Sequence, residues 1–313
     1  MAIDRFHHPR DQPPGTIASA RHGAGQSRLP SALTLALMLA GAALAISACT
    51  TGQPPTPAAV RIPQPSVAFY YGPHVPVAAL QRFDDVVVEP SSGFAPQRYP
   101  ATHPVWFAYA SMGEILPSRA DFPLLPKAWL KGDDPAWSSR LVDQSAPGWP
   151  AFYLDHVITP LWNKGYRGFF LDTLDAYQRF AKTDAERAAQ QAGIVRTVRA
   201  IKTRYPDARL IFNRGFEILP QVPGLVEVDA FESLFRQWNP ATKTYRAVSQ
   251  ADRDWLLAQA RTVATRDHLP VVVIDYCAPA DADCARDTAA NIHAVGMTPF
   301  ITNGAVDSIE SAP

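Results

Sequence analysis

Asp172 and Glu232 are the two side chains best suited by type and position to do chemistry. Each closes a short apolar run, "GFFLD" at 168–172 and "VDAFES" at 228–233. Polar side chains end other runs of the same kind, at Glu89, Glu114, Asn213, Asp275 and Asn303. One acid after a strand is commonly the cap of the next helix. Five acids and two amides in that position are too many for caps. Carboxylates gathered on one rim need cationic ligands, a metal or shared protons to be tolerated. Two carboxylates flanking a scissile bond are the apparatus of glycoside hydrolysis. One, kept protonated, gives its proton to the leaving oxygen; the other attacks the anomeric carbon or activates water. Other chemistries find less support. Ser111 and Ser233 lack the G-x-S-x-G elbow of serine hydrolases. His103 and His268 have no partners at metal-ligand spacing, which leaves a metal-dependent deacetylase without a ligand cluster.

The elements that must position these acids are legible as apolar runs. "VAFYYG" (67–72), "VVVEP" (86–90), "VWFAYASMGE" (105–114), "GFFLD", "RLIFNRG" (209–215), "VDAFES", "PVVVIDY" (270–276) and "TPFITN" (298–303) read as strands. They are β-branched and aromatic without clean alternation, as strands covered on both faces are. Helical patterns lie between them. "WPAFYLDHVITPLWNKG" stops at Gly165, a second helix has a Thr183 or Asp184 cap, a third a Ser249 cap, and a fourth ends at Gly296. Eight strands alternating with helices predict an α/β fold, a single (β/α)8 TIM barrel, with an open doubly wound sheet as the alternative. No G-x-G-x-x-G follows the first strand, so a dinucleotide fold loses its main support. In a barrel all C-terminal strand ends open on the face that carries active sites. Asp172 and Glu232 then close the fourth and sixth strands, and alternate strands can hold carboxylates across a sugar-sized gap. The connection from Leu116 to Pro150 is long and carries Trp129, Trp137 and Trp149, either stacking platforms for sugar or packing that covers the barrel.

The N-terminal residues read as a processing signal. Arg5, Arg10, Arg21 and Arg28 precede a small-residue apolar run ending in Ile46-Ser47-Ala48-Cys49, in the order of a secretory signal. That ending resembles a bacterial lipobox, which makes residues 1–48 a lipoprotein signal peptide and Cys49 the lipidated first residue. The run is shorter than the ~20 residues a membrane span needs. Thr50 in place of an Asp points to the outer membrane, on its periplasmic or surface face. Residues 49–65 are Pro-rich and read as a tether, leaving 66–313 for the barrel. Removing residues 1–48 takes four Arg and two Asp from 29 basic and 29 acidic side chains, leaving 25 and 27. That balance gives no sign of nucleic-acid binding. Cys277 and Cys284 remain, seven residues apart, and read as a loop-stapling disulfide in an oxidising compartment. The chain is expected to act as a monomer.

Five blocks carry a resemblance. They are Tyr109-Ala110-Ser111-Met112-Gly113-Glu114, Gly165 through Tyr177 ("GYRGFFLDTLDAY"), Asn213-Arg214-Gly215-Phe216-Glu217, Glu232-Ser233-Leu234-Phe235, and Asp275-Tyr276. In this order, from about residue 66 to 305, the chain resembles glycoside hydrolase family 114, the endo-α-1,4-polygalactosaminidases. The resemblance implies a (β/α)8 barrel that cleaves α-1,4 linkages in partly deacetylated galactosamine polymers without a metal or other cofactor. Carried over by block, Asp172 matches the nucleophile and Glu232 the acid/base of a retaining mechanism. Tyr109, Glu114, Asn213 and Asp275 fall on blocks that contact sugar, with Asp175, Tyr177 and Tyr276 beside them. Asp175 reads equally as the start of the next helix. An amino sugar is cationic near neutral pH, so surplus carboxylates on the rim would select an exopolysaccharide rich in it by charge. The alternative is a non-catalytic polysaccharide-binding lipoprotein on the same barrel.

Overall fold

The structure, a computed structural model, describes residues 64–99 and 103–309. The signal peptide, the tether up to residue 63 and Cys49 lie outside the described residues. Among those described, no helix is long and apolar enough to cross a membrane.

Eight parallel strands form one sheet in chain order: β1 (Val67–Tyr70), β2 (Asp85–Val88), β3 (Val105–Ser111), β4 (Gly168–Asp172), β5 (Arg209–Asn213), β6 (Val228–Glu232), β7 (Val271–Tyr276) and β8 (Thr298–Thr302). The two ends of the sheet meet. Tyr71 N–H donates to the Val306 carbonyl at 2.7 Å, and the Phe69 and Phe300 rings lie 5.5 Å apart. The result is a nearly closed (β/α)8 barrel. Phe69 also packs edge-on to Phe170 of β4 at 5.1 Å, so aromatic rings fill the interior as the packed layers of such barrels require. At the N-terminal end, Arg209 at the start of β5 reaches across to both oxygens of the buried Asp85 on β2, at 2.5 and 3.0 Å. That pairing offsets part of the burial cost, which still pushes the Asp85 carboxyl above its usual range.

The helices start where their caps direct. Residue Thr183 begins the long helix α3 (Asp184–Arg204) with a capping box to Glu186. Ser249 caps α4 (Gln250–Thr262), and Asp281 caps α5 (Ala282–Ala294). Before these, α1 (Val77–Leu80) is one short turn, and α2 spans residues 149–163 with one wider turn at Leu154–Ile158. Cys277 and Cys284 are disulfide-bonded at the start of α5.

One boundary differs from the sequence reading. The run expected as a single strand over 105–114 leaves the barrel after Ser111. Glu114 therefore does not close β3. It opens a small antiparallel sheet in which Glu114–Ile115 pairs with Ser139–Val142, and that strand with Leu130–Asp134. A close approach forces the exit. Met112 N–H donates to the Asp172 carbonyl at 2.9 Å, and a Cβ on Gly113 would lie 2.3 Å from the Thr173 carbonyl oxygen. A second hairpin, Arg236–Asn239 with Thr244–Ala247, follows β6.

Candidate active site

Asp172, Asn213 and Glu232 are the last residues of β4, β5 and β6, three neighbouring strands. Each is followed by a non-glycine residue with left-handed backbone: Thr173 at φ 63°, Arg214 at 60° and Ser233 at 64°. That conformation is uncommon for any residue with a Cβ and strained for a β-branched one. Thr173 is held in it by side-chain bonds. Its Oγ1 accepts from Met112 N–H at 3.1 Å and Gly113 N–H at 2.7 Å. The chain thus leaves three adjacent strands by the same turn, directly after the three polar side chains.

Those side chains form one hydrogen-bonded line across the mouth. Tyr109 of β3 donates its hydroxyl to Asp172 Oδ2 at 2.6 Å. Asp172 Oδ1 accepts from Thr173 N–H at 2.6 Å and from Asn213 Nδ2 at 2.9 Å. The same Asn213 nitrogen reaches Glu232 Oε1 at 3.3 Å, and Tyr276 of β7 donates to Glu232 Oε2 at 2.8 Å. One amide nitrogen therefore bridges both carboxylates. Their nearest bridged oxygens lie no further apart than the two distances laid end to end, about 6.2 Å. Asp172 is 1% and Glu232 3% exposed, and both line a narrow crevice shared with Asn213, Asp175 and Arg214. Three carboxylates there face one guanidinium, whose Nη1 stands 3.9 Å from Asp175 Oδ2.

Beyond Tyr109 the mouth widens. Two adjoining clefts, about 300 Å3 and about 510 Å3, share Glu89, Ser91, Tyr109, Arg119, Asp121 and Val157. Trp137 and Trp149 line the smaller one, and Trp149 also stacks on Phe152, so it packs and lines at once. Glu114 borders the same cleft and accepts from Ser139 Oγ at 2.5 Å. Burial pushes the Glu89 carboxyl above its usual range, against the N–H it accepts from Ser91.

Two expected sugar contacts are placed elsewhere. Asp275 is fully buried, and its oxygens accept the backbone N–H groups of Leu234, Phe235 and Arg236. Tyr177 is buried against α3, where its hydroxyl accepts from Gln191 Nε2 at 2.9 Å. Two residues that the sequence does not mark as site residues stand at the site instead. Arg214 lines the crevice, and its position directly after Asn213 was the available signal. The Tyr71 hydroxyl is buried without a hydrogen-bond partner at the end of "VAFYYG". Burial, followed by Tyr109, Asp172, Glu232 and Glu89, pushes its pKa well up, which marks it as lying in the field of the carboxylates.

A (β/α)8 barrel whose C-terminal mouth holds two amide-bridged carboxylates beside an open cleft has the form of a glycoside hydrolase. Residues 50–313 match Glycoside-hydrolase family GH114, and the chain belongs to that family. It is similar to the glycoside hydrolase domain of PelA from Pseudomonas aeruginosa, at 35% identity and a TM-score of 0.67, over 78% of this chain and 96% of that one. Its fold is also similar to Aspergillus fumigatus Ega3, solved in complex with galactosamine, at 15% identity and a TM-score of 0.57, over 79% and 94% of the two chains. An uncharacterized protein of Deinococcus radiodurans is 26% identical over 213 residues, which is 64% of this chain. The match spans 65% of that relative's length.

Proposed function

We propose that this glycoside hydrolase cleaves α-1,4-linked, partly deacetylated galactosamine polymer internally and with retention, using Asp172 as nucleophile and Glu232 as acid/base. The observation that carries the reading is the single Asn213 nitrogen on both carboxylates. The two bonds to that nitrogen, at 2.9 and 3.3 Å, hold the oxygens it joins within about 6.2 Å of each other, and N–H bonds diverging by about 120° would bring them to about 5.4 Å. Retaining glycosidases hold their carboxyl groups ~5–5.5 Å apart, whereas inverting ones leave ~6.5–9.5 Å for a water.

The division of roles follows from how each acid is held. Asp172 receives three donors, Tyr109, Thr173 N–H and Asn213. Glu232 receives Tyr276 and the longer bond from Asn213. A tyrosine hydroxyl can donate to a carboxylate or accept from a carboxylic acid, so Tyr276 suits a group that changes protonation twice per cycle, whereas on Asp172 the Thr173 N–H and the shorter Asn213 bond add to Tyr109 and favour the carboxylate. In the first step Glu232 gives its proton to the glycosidic oxygen. An Asp172 oxygen forms a bond to the anomeric carbon as the leaving sugar's hydroxyl departs. In the second step the Glu232 carboxylate takes a proton from water, whose oxygen attacks that carbon and frees Asp172.

The substrate class rests on the resemblance to polygalactosaminidases and on charge. Asp172 and Asp175 against one Arg214, with Glu232 holding its proton, favour a sugar carrying a protonated amine. The lipid anchor on Cys49, the outer-membrane location and action as a monomer belong to the same proposal and are argued from the sequence. Asp172→Asn and Glu232→Gln test the pair. Each is expected to lower release of reducing ends from polygalactosamine by at least ~10²-fold, with melting temperatures close to the parent's. Full activity in both variants would refute the assignment.

A further inference from the structure

We propose that Asp275 is a positioning residue for Glu232, its carboxylate acting on the chain segment that follows Glu232 and not on sugar. The inference rests on the reading of Glu232 as the acid/base. Three consecutive residues near the end of β7 grip that segment. The Ile274 carbonyl accepts from Ser233 N–H at 2.8 Å. Asp275 Oδ1 accepts from Leu234 N–H at 2.6 Å, and Oδ2 from Phe235 and Arg236 N–H at 2.8 and 2.9 Å. Tyr276 holds the Glu232 side chain itself at 2.8 Å.

The need for such a grip is visible in the backbone. Ser233 turns left-handed immediately after Glu232, and the next three N–H groups converge on one point. Successive N–H groups turned toward a common centre form an anion nest, and bonds from N–H to a carboxylate are among the stronger ones. Here the acceptor at the centre is the Asp275 carboxyl, supplied by the protein and sealed from solvent at 0% exposure. Without it three donors would lose their acceptor, and the strained turn that presents Glu232 would lose its counterweight. Displacing a general acid by ~1 Å is enough to cost about 10²-fold in rate.

The test separates acid placement from folding and from sugar contact. Asp275→Asn keeps the shape but turns an NH2 group toward at least one of the three N–H donors. It is compared with the parent on polygalactosamine and on a galactosamine oligomer bearing a dinitrophenyl leaving group, which departs without protonation. The expected result is a fall in kcat/KM of about 10²-fold on the polymer and less than about threefold on the aryl substrate. Equal losses on both substrates would overturn the inference. So would an unchanged kcat with a raised KM, the pattern of a lost sugar contact. Glu232→Gln, run alongside, separates the two layers of argument. Full polymer activity in that variant sinks the reading of Glu232; full activity in Asp275→Asn alone sinks only the present inference. Should Asp275→Asn fail to fold, hydrogen exchange on the parent decides. The Leu234, Phe235 and Arg236 amides are expected to exchange as slowly as those of β7, and rapid exchange at all three contradicts the grip.

Discussion

Burial outweighs three N–H donors at Asp275 and pushes its pKa up to about 7. In the unfolded chain the same group titrates near ~3.9. The folded state therefore keeps its proton to higher pH than the unfolded state does. The sign follows: this group's contribution to stability is fully present below about pH 4 and is lost as pH rises through about 7, at no more than about 1.4 kcal/mol per pH unit. Asp275→Asn, which does not titrate, is expected to gain in melting temperature relative to the parent as pH goes from 4 to 7. A difference between the two that stays constant over that range would contradict the sign. Residue scale is also where the sequence is least able to speak. Asp275 and Tyr276 are adjacent on one strand, so their side chains point to opposite faces. Only one of them could join the mouth, and it is Tyr276. Strand ends identify Asp172, Asn213 and Glu232, but a position in the chain does not say which way Tyr177 turns or that Tyr71 comes near.

The elements that carry the site depend on two chain exits made tightly together, from β3 and from β4. Thr173 takes its left-handed turn because Met112 and Gly113 donate to its hydroxyl, and Gly113 can come that close because it has no side chain. Gly113→Ala would drive a methyl carbon against the Thr173 carbonyl. It is expected to cost about 1–3 kcal/mol by denaturant titration, as overpacking does. Because Asp172 precedes that carbonyl, kcat should fall as well; a variant of parental stability and rate would show the contact to be slack. All eight barrel strands were legible, since covered strands are apolar on both faces, and so were the Thr183 and Ser249 caps. The sheet inserted after β3 was not. Its strands are short, and "LKGDD" alternates exposure in a run too charged to read as a strand. That insertion explains why the sequence makes Glu114 look like a strand end: the apolar run continues past Ser111 while the backbone has already left the barrel.

Over the whole molecule the barrel separates stability from chemistry. Arg209 and Asp85 join β5 to β2 at the N-terminal end, while the carboxylate pair and its clefts open at the other. That division lets the mouth concentrate acids without removing the ion pair that ties the floor. At this scale also belongs the proposal that Cys49 carries a lipid and residues 49–65 hold the barrel off a membrane. Cys49→Ser is expected to move the protein from the membrane fraction to the soluble fraction of the producing cell, with activity per molecule unchanged. Retention in the membrane fraction would remove the anchor from the account. A tether of this kind would confine hydrolysis to polymer that passes close to the envelope.

Asp172 and Glu232 are held close enough for one of them to bond to the sugar, and the anomer first released reads this out. Proton NMR on polygalactosamine, with enough enzyme to outrun mutarotation, should show new reducing ends appearing first as the α-anomer. Appearance of the β-anomer first would mean that a water sits between the two carboxylates, and the covalent role given to Asp172 would be wrong.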